Sequence, residues 1–372
     1  MTSKITYLDY NATAPVRPQV ARAVFGALQM CGNPSSIHSA GRAARKAVQT
    51  AREEIAALVG AGTSQVIFTS GGTEANHLAI RGARVERILA SAIEHDSVLA
   101  ADPRAEIIPV LPSGVVDLVA MREMLAHDTR TALMSVMLAN NETGILQPVA
   151  EAAGIARSYG ALVHCDAVQA AGKIDVNFTS LGVDMLSLSA HKFGGPQGVG
   201  ALVASKDLML EAQLHGGRQE HGLRAGTENV PGIVGFGVAA KLAGEELENM
   251  TRVSQLRDRL EAGAKEIAPF VIFFGVDAAR LPNTSCFALP GLGSESQVMS
   301  FDLSEIAISA GAACSSGKVT RSKVLRAMGV SDDVANCAIR VSLGWDSHAR
   351  DVEAFLQAWE ILCGRMVLRR AG

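Results

Sequence analysis

Lys192 follows the apolar run DMLSLSA (184–190), stands beside His191, and is succeeded at once by the turn FGGPQG (193–198). An amine held at a strand end before a glycine-rich turn is partly desolvated, which lowers its pKa and lets it condense with a carbonyl. On its own the same residue also reads as a solvated turn lysine. A second stretch, TSGGTEAN (69–76), reads as a strand ending in Gly71-Gly72-Thr73 where a helix begins. Free N–H groups and the positive end of the helix dipole make that junction an anion site, to which Thr73 adds a hydroxyl. The competing reading is a capping box with Thr73 as N-cap and Asn76 at the third helical position. A third stretch, VHCDAVQ (163–169), places Asp166 at the end of an apolar strand. A buried carboxylate there keeps its charge only against a cation or N–H donors. A protonated pyridine nitrogen is one such partner, and Gln169 a turn later reaches the same ring; Asp166 as a plain helix cap stays open.

The six cysteines (Cys31, Cys165, Cys286, Cys314, Cys337 and Cys363) show no C-x-x-C pair and no Cys/His grouping at zinc spacing. Structural disulfides and a metal site are therefore not expected, and most of these thiols are expected to be buried as small apolar groups. Cys314 differs, because it sits in SAGAACSSGKVTRSK (309–323) with Lys318, Arg321 and Lys323 close by. That electropositive loop suits a reactive thiolate. An amine, a phosphate cradle, a pyridinium partner and a thiol together equip a pyridoxal 5′-phosphate enzyme acting on a sulfur substrate.

Seven short β-rich runs lie between residues 65 and 205: QVIFTS (65–70), RILAS (87–91), AEIIPV (105–110), TALMSVMLA (131–139), ALVHCDA (161–167), DMLSLSA (184–190) and VGALVAS (199–205). Helical patterns such as 117–128 and 148–160 separate them. Strands apolar on both faces, alternating with helices, predict an α/β fold with a mostly parallel sheet, and sites in such sheets gather at the carboxyl ends of the strands. A single long helical stretch is expected over 231–267, followed by a C-terminal region with β-rich runs near 270–275, 283–290, 305–311 and 338–344 and a closing helix from 349. With 372 residues, 48% apolar and 19% charged, the chain reads as a compact two-domain enzyme. A net charge of −3 argues against nucleic acid as a partner. No apolar run approaches the roughly 20 residues needed to span a bilayer, so no membrane and a cytoplasmic location are expected.

On these motifs, joined by YLDYNATAPV (7–16), GNPSSIH (32–38), EHDSV (94–98), NNETG (140–144), HGGRQEHGLRAGTENV (215–230) and AIRVSLG (338–344), the chain resembles the NifS/IscS-type cysteine desulfurases. These belong to the class V aminotransferase-like group with the fold-type I pyridoxal-phosphate architecture. The resemblance implies a large domain over 14–255 with a seven-stranded, mostly parallel sheet, and a smaller α+β domain of 1–13 and 256–372 carrying the cysteine loop. It implies pyridoxal 5′-phosphate joined to Lys192, with His95 stacked on its ring and assisting proton movement, Asp166 on the ring nitrogen, and Gln169 and Asn141 near the ring hydroxyl. Gly72, Thr73, Ser189 and His191 would hold the phosphate, with Thr227 reaching it from the other subunit of a homodimer. Arg340 and Asn141 would bind the substrate carboxylate.

The activity implied is conversion of L-cysteine to L-alanine, with sulfur passing as a persulfide to Cys314 and on to an acceptor protein such as an iron–sulfur scaffold. The rivals are a selenocysteine lyase or a C–S lyase that makes no persulfide, and a non-enzymatic sulfur carrier. Two departures from the family pattern stand out. The stretch between Thr73 and His95 is short, and the chain stops at RMVLRRAG without the extension that docks a scaffold in housekeeping members, which leaves the acceptor open. The basic KVTRSK (318–323) points to an acidic acceptor surface.

Overall fold

A computed structural model describes residues 5–311 and 321–371. Its strands are β1 (Thr6–Tyr7), β2 (Val66–Thr69), β3 (Arg87–Ser91), β4 (Glu106–Ile108), β5 (Ala132–Ser135), β6 (Leu162–Asp166), β7 (Met185–Ser189), β8 (Gly200–Ala204), β9 (Ile272–Phe273), β10 (Thr284–Ala288), β11 (Ile306–Ala307), β12 (Ser309–Ala310) and β13 (Ala338–Ser342). All seven runs between 65 and 205 form one sheet, in the order β2-β8-β7-β6-β5-β3-β4. Only β8 is reversed, being antiparallel to both β7 and β2, while the other pairings are parallel.

Alternation along the strands divides their side chains between two cores, as the pleat requires. Val66, Phe68, Leu89, Met134 and Leu186 face one core with the helices Ser39–Leu58 and Val230–Glu245. Ile67, Ile88, Leu133, Met185 and Leu202 face the other, covered by the helix Gly72–Gly82. Burial on both sides is why these strands read as continuous apolar runs rather than alternating ones.

A second sheet, β12-β13-β10-β9, is antiparallel throughout, and β1 pairs in parallel with β11. Its core joins Leu8 to Leu260, Phe287, Phe301, Phe355 and Trp359. Phe301 stacks on Phe355 with ring centres 4.8 Å apart. The residues expected to form one helix over 231–267 form two, Val230–Glu245 and Met250–Ile267, with a 3₁₀ turn at Leu247–Asn249 between them. The break falls where packing changes hands: Ile233 and Phe236 serve the large core, whereas Val253 and Leu260 serve the smaller one. Both halves are good helix formers, so nothing in their periodicity marks the junction. Similarly, 305–311 splits into β11 and β12, which pair with different partners.

Residues 8–17 run from one assembly to the other. The Leu8 carbonyl accepts from the Ser342 N–H (2.8 Å), the Ala14 N–H donates to the His191 carbonyl (2.8 Å), and the Arg17 N–H donates to the Gly194 carbonyl (3.0 Å). This segment therefore lies between the second sheet and the turn that carries Lys192.

Candidate active site

Six of the seven strands of the large sheet point the same way, and their carboxyl ends share one rim with a cavity of about 260 Å³. Gly72, Thr73, His95, Asn141, Asp166, Gln169, Ser189, His191, Lys192 and Arg340 all line it, from segments far apart in the chain. Thr227 is exposed and lies outside this cavity in its own chain, and Cys314 lies outside the described residues.

Lys192 closes a 3₁₀ turn, Ala190–Lys192, that follows β7 directly. Its Nζ donates to the main-chain carbonyls of Asn11 (2.7 Å) and Ala12 (3.0 Å). Gly194 just beyond has φ +90°, and a Cβ there would come within 2.7 Å of Arg17 Cγ, so the turn requires glycine.

Across the cavity the helix Gly72–Gly82 begins, with Gly71 at its cap position. The capping box suggested by Thr73 and Asn76 is not formed: the helix starts two residues earlier, and Asn76 is occupied elsewhere. A Cβ on Gly72 would lie 2.9 Å from Val168 Cγ2 and 3.5 Å from Ser189 Cβ, so its absence opens the helix end to the cavity. Free N–H groups, the helix dipole, Thr73 and Ser189 converge there as an anion cradle.

Asp166 at the end of β6 is 5% exposed. One carboxylate oxygen accepts from Val168 N–H (2.9 Å) and the other from Asn76 Nδ2 (2.8 Å). Among the described residues no basic side chain forms an ion pair with it. The same Asn76 amide donates to Ser97 Oγ (2.9 Å), which leaves the Ser97 hydroxyl proton for His95 Nδ1 (2.7 Å). His95 Nδ1 also accepts from the Ser97 N–H, so the neutral ring carries its proton on Nε2. A continuous set of hydrogen bonds thus fixes His95 relative to Asp166. Asn76 and Ser97 had no role in the sequence reading, where Asn76 figured only at its cap spacing.

Arg340 enters from β13 and is 2% exposed. Its Nη2 pairs with Asp9 Oδ1 (2.7 Å) and Nη1 donates to the Asn141 carbonyl (2.9 Å), while Nε is buried with no partner. A buried guanidinium with a spare donor edge is suited to a carboxylate. His191, near Thr13 Oγ1 (3.2 Å), has its pKa pushed down to about 4 by burial and by the charges of Lys192 and Lys173, so it is neutral around pH 7.

Glu94, next to His95, is buried, and its Oε1 accepts from Ser91 Oγ (2.8 Å) and Met137 N–H (2.6 Å). Burial, then the charge of Asp166, raises its pKa from an ordinary 4.5 to about 8. Folding therefore takes up a proton between these values: the stabilisation is full below pH 4.5 and is lost as pH rises through 8. Glu94→Gln keeps an acceptor oxygen but cannot ionise. It is expected to melt close to the parent protein near pH 5 and clearly above it near pH 9. Thermal melts over this range check it, and parallel curves for the two proteins would refute the burial argument.

The fold and this site define a vitamin B6-type architecture, in which an amine at a strand end, a carboxylate and a helix N-terminus face one cavity. The sequence profile of the aminotransferase class-V family matches residues 6–355, and the chain belongs to that family. A cysteine desulfurase from Cereibacter sphaeroides is 44% identical over 366 residues, covering 94% of each chain. The cysteine desulfurase IscS of Dictyoglomus turgidum is 41% identical over 369 residues, covering 95% of this chain and 93% of its own. The X-ray structure of a NifS-like protein from Rickettsia africae ESF-5 superposes with a TM-score of 0.89 at 37% identity, covering 96% of this chain and 99% of its own. Within the family the chain is of the NifS/IscS cysteine desulfurase type.

Proposed function

We propose that this protein is a pyridoxal 5′-phosphate-dependent cysteine desulfurase that converts L-cysteine to L-alanine and passes the sulfur through Cys314 to an acceptor protein. The observation that carries the reading is the convergence of Lys192 Nζ, the Asp166 carboxylate and the Gly72 helix end on one cavity. The residues fit the cofactor. Asp166 is a buried carboxylate without a basic partner among the described residues, and glycine at 72 leaves open the space a Cβ would fill. Lys192 would hold the aldehyde carbon, Gly72, Thr73, Ser189 and His191 the phosphate, Asp166 the ring nitrogen, and Gln169 and Asn141 the ring oxygen. When bound, the group supplies a carbonyl for the substrate amine and a cationic ring that accepts an electron pair.

The chain's own groups do the rest. The Asn11 and Ala12 carbonyls aim Lys192 Nζ, the atom placed to take the substrate α-proton and return it. The Arg340 guanidinium orients the substrate carboxylate, and His95, fixed through Ser97, covers the ring. The Cys314 thiolate attacks the substrate sulfur. An S–S bond forms, the C–S pair stays with the substrate carbon, and that carbon takes a proton and leaves as alanine. Thr227 is exposed in its own chain, which supports its service to the partner's cofactor in a homodimer, and exposed Phe25, Leu28 and Ile37 offer apolar surface for such pairing. A cytoplasmic setting and an iron–sulfur scaffold as acceptor complete the proposal; among the described residues no helix is long and apolar enough to cross a membrane.

The test is to incubate purified protein with L-cysteine, measure alanine, and map protein-bound persulfide by mass spectrometry. Alanine with persulfide on Cys314 is expected, and Cys314→Ser should lose the persulfide while still taking up the cofactor. Alanine made without persulfide would instead mark a simple C–S lyase. Failure of borohydride to fix the cofactor on Lys192 would remove the assignment altogether.

A further inference from the structure

Lys173 is 5% exposed, does not line the cavity and has none of the roles assigned above. Its Nζ donates to Asn11 Oδ1 (2.9 Å) and Gln169 Oε1 (2.9 Å), and among the described residues no carboxylate pairs with it. Burial lowers its pKa well below the usual lysine value, and the charges of Lys192 and Arg340 lower it further. A lysine buried without a counter-ion is costly, so its two contacts must matter to something.

Both amide orientations follow from neighbouring main-chain oxygens, the Asn11 carbonyl for Gln169 and the Asn141 carbonyl, to which Asn11 Nδ2 donates (3.4 Å), for Asn11. Gln169 Nε2 donates to the Asn11 carbonyl (2.9 Å), which can only accept, so Gln169 Oε1 must face Lys173. Asn11 Nδ2 donates to Thr284 Oγ1 (2.8 Å), while its Oδ1 accepts from both Lys173 and Asn283 Nδ2 (3.0 Å). The Asn11 carbonyl held in this way is the one that receives Lys192 Nζ. Lysine is the side chain that fits, because its end group offers donors alone when charged and still two when neutral. An acceptor at this position would turn the Gln169 amide over and aim its oxygen at the cavity.

We propose that Lys173 is a positioning residue: by donating to Gln169 Oε1 and Asn11 Oδ1 it directs the second N–H of Gln169 toward the ring oxygen of the cofactor and sets the Asn11 carbonyl against Lys192. The proposal rests on the cofactor reading above, and borohydride fixation on Lys192 in the parent protein tests that reading separately. The experiment compares the cofactor-loaded full-length protein with Lys173→Met, Gln169→Met and the double variant. It records the visible absorbance band of the bound pyridoxal 5′-phosphate across pH, cofactor retention on dialysis, and thermal melts. The expected result is the same displaced band in both single variants and in the double variant, with retention roughly tenfold weaker in each. A purely structural lysine would lower the melting temperature and leave the band of the surviving protein unchanged. A parent-like band in Lys173→Met, or displacements that add in the double variant, overturns the proposal. Should Lys173→Met not fold, Lys173→Leu replaces it: it likewise removes every donor, so a displaced band supports the assignment whereas a parent-like one refutes it.

Discussion

Lys192→Ala is expected to fold and to produce alanine from L-cysteine at least about 10³-fold more slowly than the parent protein. The size follows from two jobs lost at one atom. On the proposed reading Nζ would be both the covalent anchor for the cofactor aldehyde and the base for the substrate α-proton, and the Asn11 and Ala12 carbonyls hold it at 2.7 and 3.0 Å. Folding should survive, because the backbone of the turn is held independently by the Ala14-to-His191 and Arg17-to-Gly194 bonds. Borohydride should then leave no stable adduct at position 192. A variant working within about tenfold of the parent would show that some other group moves the proton.

Asp166→Asn is expected to lower kcat by about 10²–10³-fold with a smaller change in KM, because on the proposed reading it would remove the charge that keeps the ring nitrogen protonated. The amide oxygen can still accept from Val168 N–H, so the end of β6 keeps its shape. The contact with Asn76 is the sensitive one. An amide there can present N–H to N–H, loosening the link through Ser97 to His95. The substitution should also relieve Glu94, whose raised pKa owes its second largest contribution to Asp166, so the variant should lose less stability between pH 4.5 and 8 than the parent does. Steady-state kinetics with melts at two pH values test both halves, and an unchanged kcat would place the ring nitrogen elsewhere.

Six of the seven strands were legible because each is buried on both faces and so leaves an apolar word in the sequence, while β4, at the sheet edge with Ile107 exposed, was carried by its β-branched residues alone. Their order was not, since nothing local says that β8 turns back between β7 and β2. The residues lining the cavity were legible where their side chains carry the chemistry, as with Lys192 and Asp166, whereas Arg340 was reached only through the family resemblance. Partners that act through the main chain were not: the Asn11 and Ala12 carbonyls have no side-chain signature. Lys173 was hidden for another reason, as a buried lysine and a surface lysine are the same letter. Its spacing of four from Gln169 within HCDAVQAAGK was the available clue. The helix break at Glu246 escaped because it is set by a change of packing partner and not by propensity.

The strap formed by residues 8–17 has a consequence for biogenesis. Asn11 precedes the whole large sheet in the chain, yet the hydroxyl that its N–H meets belongs to Ser342, 331 positions later. The large sheet needs only residues 66–204 and can assemble during translation, whereas the carbonyls that aim Lys192 cannot be seated until β13 has emerged. A nascent chain stalled between residue 204 and β13 would carry its lysine, its carboxylate and its glycine-rich helix start without the seated carbonyls that aim Lys192 Nζ, so the site is completed only after residue 342 has been made.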